Sequence, residues 1–80
     1  MLIMIRYKTS AKQEDLSDLL GIVEPLARKK GFTTISNSPK MYYNKNATDN
    51  IAMDLIKNIK SQLVYGKVVD SIQIGKLRKV

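Results

Sequence analysis

Two stretches of this chain carry apolar residues at helical spacing, and each stands between short runs that alternate with period two. That order limits the fold more than any single motif does, because side chains return to one face about every 3.6 residues on a helix and every second residue on a strand. Leu16, Leu19, Leu20, Val23, Leu26 and Ala27 form the first helical stripe. Ala52, Leu55, Ile56, Ile59 and Leu63 form the second, with Ile51 at its flank. Ahead of the first stripe, Leu2 to Lys8 alternates: Ile3, Ile5 and Tyr7 fall on one face, Leu2, Met4, Arg6 and Lys8 on the other. Alternation with β-branched residues predicts a strand.

Local signals set the boundaries. Ser10 and Gln13 have capping-box spacing at the start of the first helix. Glu14 and Asp15 suit the positive end of its dipole, and Arg28, Lys29 and Lys30 suit the negative end. Gly31 can take the left-handed cap conformation. Pro25 lies inside the stripe, where its ring presses on the carbonyl of Gly21, so a kink or a restart is expected there. Phe32 to Ser36 reads as a second strand, Ser36-Asn37-Ser38-Pro39 as a turn, and Lys40 to Asn44 as a third strand. Thr48 is an N-cap for the second helix, with Asp49 in its first turn. Gly66 falls in the next connection, Val68 to Ile74 is a fourth strand, and residues 75–80 form a short basic tail. The order implies one domain over residues 1–80, a ferredoxin-like βαββαβ α+β sandwich: a four-stranded antiparallel sheet with two helices on one face. The rival arrangement merges residues 32–44 into one bent strand of a three-stranded sheet. The sheet's second face stays open, and Leu2 and Met4 on it suit a partner or a dimer rather than bare solvent.

Composition narrows the chemistry. The 80 residues contain no cysteine and no histidine, which removes disulfides, thiolate chemistry, the usual neutral-pH base and the commonest zinc ligand. A metal would need carboxylates and backbone oxygens, pointing to magnesium, manganese or calcium. No cofactor is expected. The apolar start MLIMIRYK meets a charge at Arg6, too early for a signal-peptide core or a membrane span, so no membrane association and a cytoplasmic location are expected.

Charge is high and uneven. The net charge is +7; residues 1–27 carry three basic and four acidic side chains, and residues 28–80 carry eleven basic and three acidic ones. Such a balance suits an anionic partner, most often nucleic acid, DNA or RNA. A solvated lysine-rich surface is the plainer alternative. Arg6 and Lys8 on the first strand are candidate phosphate contacts, joined by Lys40, Tyr42 and Tyr43 on the third. One of the two tyrosines should share the open face and could stack a base. The two aromatic signatures of the RNA-recognition module are absent from LIMIRY and KMYYNK. Arg28, Lys29 and Lys30 with Lys57 and Lys60 make a second basic rim, for which helix-end electrostatics is the competing account. The acidic residues Glu14, Asp15, Asp18, Glu24, Asp49, Asp54 and Asp70 form no pair that the spacing forces together. There is no glycine-rich phosphate loop and no Ser/His/Asp set.

GFTTISNSPKMYYNK, then TDNIAMDLIKNIKSQL, then VVDSIQI resembles virulence-associated protein D and its CRISPR-associated small-nuclease relatives. The resemblance rests on Gly31, Phe32, Ser38, Tyr42 or Tyr43, Ile51, Ala52, Val69, Ile72 and Ile74, covering roughly residues 26–75 with a small insertion at the hairpin. It implies a ferredoxin-like homodimer in which the last segment, Ile72, Ile74, Leu77 and Val80, pairs across the dimer interface, joining Leu2 and Met4 of the open face as the expected interface residues. It also implies either metal-dependent cutting of RNA or DNA by an aspartate at the end of the first strand, as in some members, or structural binding of DNA, as in others. Lys8 stands about where that aspartate would be, and an ammonium cannot hold a divalent cation as a carboxylate does. The expected function is therefore a small basic, non-catalytic nucleic-acid-binding homodimer. A protein-binding regulator from a mobile element or phage that acts on a host protein is one alternative, and a metal-dependent endoribonuclease using Asp70 or a helical carboxylate is another.

Overall fold

A computed structural model describes residues 1–75 in full and the backbone of residues 78–79. The elements follow the expected order: β1 (Leu2–Tyr7), α1 (Gln13–Lys29), β2 (Thr33–Asn37), β3 (Lys40–Tyr43), α2 (Asp49–Lys60), a short α3 (Tyr65–Val68), β4 (Val69–Ile74) and a two-residue β5 (Arg78–Lys79). The sheet is antiparallel in the order β2-β3-β1-β4-β5. Its first four positions are the ferredoxin-like arrangement. The departure is β5, which the sequence reading assigned to a tail. Gly75 takes φ 64°, a left-handed turn that suits glycine, and the chain then returns along β4 with Ile74 opposite Arg78 and Gln73 opposite Lys79. Residues 32–44 make the expected hairpin rather than one bent strand, with a cis Ser38–Pro39 peptide in the turn.

Both helices cover one face. Ile3 and Ile5 of β1, Tyr42 of β3 and Val69, Ile72 and Ile74 of β4 join Leu19, Val23 and Ala27 of α1 and Ala52, Leu55, Ile56 and Ile59 of α2 in a single buried cluster. Directly opposed residues of an antiparallel pair share a face, and the register places Ile3 between Tyr42 and Ile74, with Ile5 between Lys40 and Ile72. No helix among the described residues is long and apolar enough to cross a membrane.

The local signals fare unevenly. Thr48 caps α2, its Oγ1 accepting from the Ile51 amide at 3.3 Å. Gly31 has φ 87° and ends α1, and the Asn44 side chain donates to the Lys30 carbonyl at 3.0 Å, tying the end of that helix to the end of β3. The capping box does not form: Lys12 is the N-cap, so Ser10 sits two residues too early to cap with its hydroxyl. Pro25 neither ends nor restarts α1. Gly21 and Pro25 both lie on the exposed side, where the Gly21 carbonyl that loses its amide partner can turn to water. Gly66 lies within α3 rather than in a plain connection. Leu63 leaves the second stripe altogether. Helix α2 stops at Lys60, and Leu63 is 99% exposed in the turn beyond it.

Candidate nucleic-acid interface

The open face of the sheet is built by the even positions of β1. Leu2 lies opposite Tyr43 and Met4 opposite Met41 on one side; Met4 faces Gln73 and Arg6 faces Ser71 on the other. Thr33 and Ser36 of β2 continue the row beside Tyr43 and Met41. The centre of this face is thus apolar, with Leu2, Met4 and Met41 half-buried, Tyr43 exposed, and Arg6 exposed toward one end. Arg6 and Tyr43, read as ligand contacts, therefore share one surface with Leu2 and Met4, read as dimer contacts.

Two of the expected ligand residues are elsewhere. Lys40 and Tyr42 point to the opposite side, under α1, and are 4% and 1% exposed. The Lys40 ammonium pairs with Glu24 of α1, donates to Asn37 Oδ1 at 3.1 Å, and stands 5.4 Å from the Tyr42 ring centre. It anchors a helix and cannot reach a ligand on the open face. The expected interface residues Ile72 and Ile74 are likewise corrected: opposite Ile5 and Ile3, they face the helices and belong to the core. Leu77 and Val80 lie outside the described residues.

The cluster under α1 has an electrostatic signature. The hydroxyls of Tyr7 and Tyr42 are buried without a hydrogen-bond partner among the described residues. Burial, reinforced by the negative charge of Glu24, pushes the Tyr7 phenol up to about 12. The same two causes in the same order, with Tyr7 adding to them, raise Tyr42 further. The folded chain holds protons that the unfolded chain releases near the ordinary phenol value of 10.0, so stability is intact below that pH and falls as pH climbs from 10.0 toward about 12. Urea denaturation followed across that window should show the fall, and Tyr42→Phe should make it shallower. An equally steep fall in that variant would rule out Tyr42 as a source.

Among the basic residues, Arg28 pairs with Glu24 at 3.8 Å across one turn of α1, and Lys30 pairs with Asp54 of α2. The Lys30 ammonium, through its hydrogen bond and its charge, holds the Asp54 carboxyl below the usual carboxylate range. Lys29 remains exposed between them. That end of the molecule is therefore less available than the sequence suggests. The opposite end gathers more than expected. Lys8 at the end of β1, Lys12 at the start of α1 and Lys67 of α3 line one open pocket of about 340 Å³ with Ser10 and Asp15. Lys8 Nζ donates to the Gly66 carbonyl at 2.6 Å, which fixes it at the pocket's edge. Arg6 lines the next pocket, of about 350 Å³, with Tyr7, Ser38, Pro39 and Asp70. Of these, only Arg6 and Lys8 were expected as contacts. Lys12 and Lys67 stand far apart in sequence, and no local pattern links them. Among the described residues, no three carboxylates gather into a group that could hold a metal ion. Comparison with protein-family models, curated proteins and solved structures finds no match to this chain.

Proposed function

We propose that this chain is a small nucleic-acid-binding protein that holds phosphates without cutting them and acts as a homodimer paired through the open face of its sheet. The observation that carries the reading is the distribution, among the described residues, of cations left exposed outside the ion pairs of Arg28, Lys30 and Lys40. Arg6, Lys8, Lys12 and Lys67 sit at one end, Lys29 and Lys45 sit apart from them, and Lys57 and Lys60 lie on α2. Cations spread in this way give affinity for a polyanion without base readout. The apolar centre made by Leu2, Met4, Met41 and Tyr43 suits a second copy better than a phosphate backbone, so Arg6 and Tyr43 are the expected ligand contacts that both uses of the face would share. Lys8 in place of the aspartate implied by the resemblance favours binding over hydrolysis.

Fluorescence anisotropy with labelled duplex and single-stranded DNA and RNA tests this. With three phosphates neutralised, affinity should fall roughly 40-fold between about 50 and 200 mM salt. Reversing Arg6 and Lys8 to glutamate should remove most of the binding at the lower salt. No binding to any of the four nucleic acids at about 50 mM salt would overturn the proposal. A protein partner is the competing reading, favoured by the exposed Leu63 beside Ile22 and Val64; a stoichiometric complex with a purified host protein that survives nuclease treatment and is lost in Leu63→Ser would support it.

A further inference from the structure

We infer that the pocket between Lys8, Lys12 and Lys67 is a site for a phosphate monoester, the terminal phosphate of a nucleic-acid strand or of a free nucleotide. This rests on the proposed nucleic-acid reading for its natural ligand but not for its chemistry. Lysines from two neighbouring segments, the end of β1 and the residue before α1, line the same pocket of about 340 Å³ as a lysine of the sequence-distant α3. A groove that follows a phosphate backbone spaces its cations along a track; these three line one open pocket.

Charge decides between a diester and a monoester. The lining holds three lysines and one carboxylate, Asp15, an excess of two positive charges at the pocket. A phosphodiester carries a single negative charge, whereas a terminal phosphate carries about −1.5 to −2 at neutral pH and offers three acceptor oxygens. Lys8 is already oriented by its bond to the Gly66 carbonyl, and an ammonium has three donors, so two remain for a ligand. Ser10 adds a hydroxyl that caps no helix.

The test compares one short single strand carrying a 5′-phosphate, a 3′-phosphate or hydroxyl ends, alongside a nucleoside monophosphate and inorganic phosphate. A terminal phosphate should tighten binding about tenfold through its charge-assisted hydrogen bonds. The gain should grow as pH rises through about 6, where the second proton leaves the phosphate. Lys12→Gln with Lys67→Gln should abolish the difference between phosphorylated and hydroxyl-ended strands, whatever affinity both keep, whereas Lys29→Gln should weaken both strands alike and preserve that difference. A gain confined to strands identifies a nucleic-acid end; equal, lysine-dependent binding of the nucleoside monophosphate identifies a free nucleotide. Equal affinity for phosphorylated and hydroxyl-ended strands would overturn the inference while leaving nucleic-acid binding intact. If no strand binds, the broader proposal fails by itself. Amide shifts of Ser10 and Lys67 on titration with inorganic phosphate would then still support the pocket, and their absence would end it.

Discussion

Glu24→Ala is expected to lower the stability of the domain by about 3 kcal/mol, which for a chain of this size is roughly 12–24 °C in Tm. The reason is the company Lys40 keeps. Its side chain is 4% exposed beneath α1, and Glu24 supplies the opposite charge. Removing one member of a buried pair leaves the other charge uncompensated, which costs about 3–5 kcal/mol. The lower end applies because Asn37 Oδ1 at 3.1 Å and the Tyr42 ring at 5.4 Å stay in place. A domain of this size has only about 5–15 kcal/mol to lose. Replacing both residues with apolar ones of similar volume, Glu24→Leu with Lys40→Met, should restore most of the loss, since a buried ion pair gains little over good packing. Thermal and urea denaturation of the single and double variants measure this. A single variant within about 1 kcal/mol of the parent, or a double variant less stable than the single, would show that the pair does not pin α1 to β3.

Lys40 also shows where sequence reading stops. In KMYY, period two separates Lys40 and Tyr42 from Met41 and Tyr43 but does not say which pair faces the core. Hydropathy alone would turn Met41 inward. The register against β1 turns Lys40 inward instead, and what makes that tolerable is a glutamate on the preceding helix, a relation no local window contains. The helical stripes were readable because every member answers to the same period. The exception is Leu63, which keeps the spacing four residues after Ile59 although α2 has already ended at Lys60. The lysine pocket was illegible for the opposite reason. Lys8 and Lys67 meet only because β4 lies beside β1, with the Lys8 amide bonded to the Val68 carbonyl at 2.8 Å. The resemblance to virulence-associated protein D falls mainly on Phe32, Tyr42, Ala52, Val69, Ile72 and Ile74, all of them core positions. Such positions carry information about the fold and little about activity.

Met41→Glu is expected to convert the proposed homodimer into a monomer and to weaken nucleic-acid binding about a hundredfold. Met41 sits at the middle of the open face, opposite Met4 on β1 and beside Ser36 on β2. On a two-fold interface each residue recurs on both copies, so a single substitution buries two carboxylates against the apolar Leu2 and Met4 and the Tyr43 ring. An unpaired charge placed in an interface core costs several kcal/mol, more than such a contact can supply. The monomer should keep its fold, because Met41 is half-buried on the side away from the helices. The effect on binding follows from linkage: in a dimer, the second set of phosphate contacts forms at the high effective concentration set by the first. Sedimentation should therefore show a change in mass together with a lower affinity and a smaller salt slope. Met41→Leu, which keeps the face apolar, should change neither. If Met41→Glu leaves the mass unaltered, the open face is not where the copies meet; if the mass halves while affinity holds, each copy binds nucleic acid alone and pairing serves some other purpose.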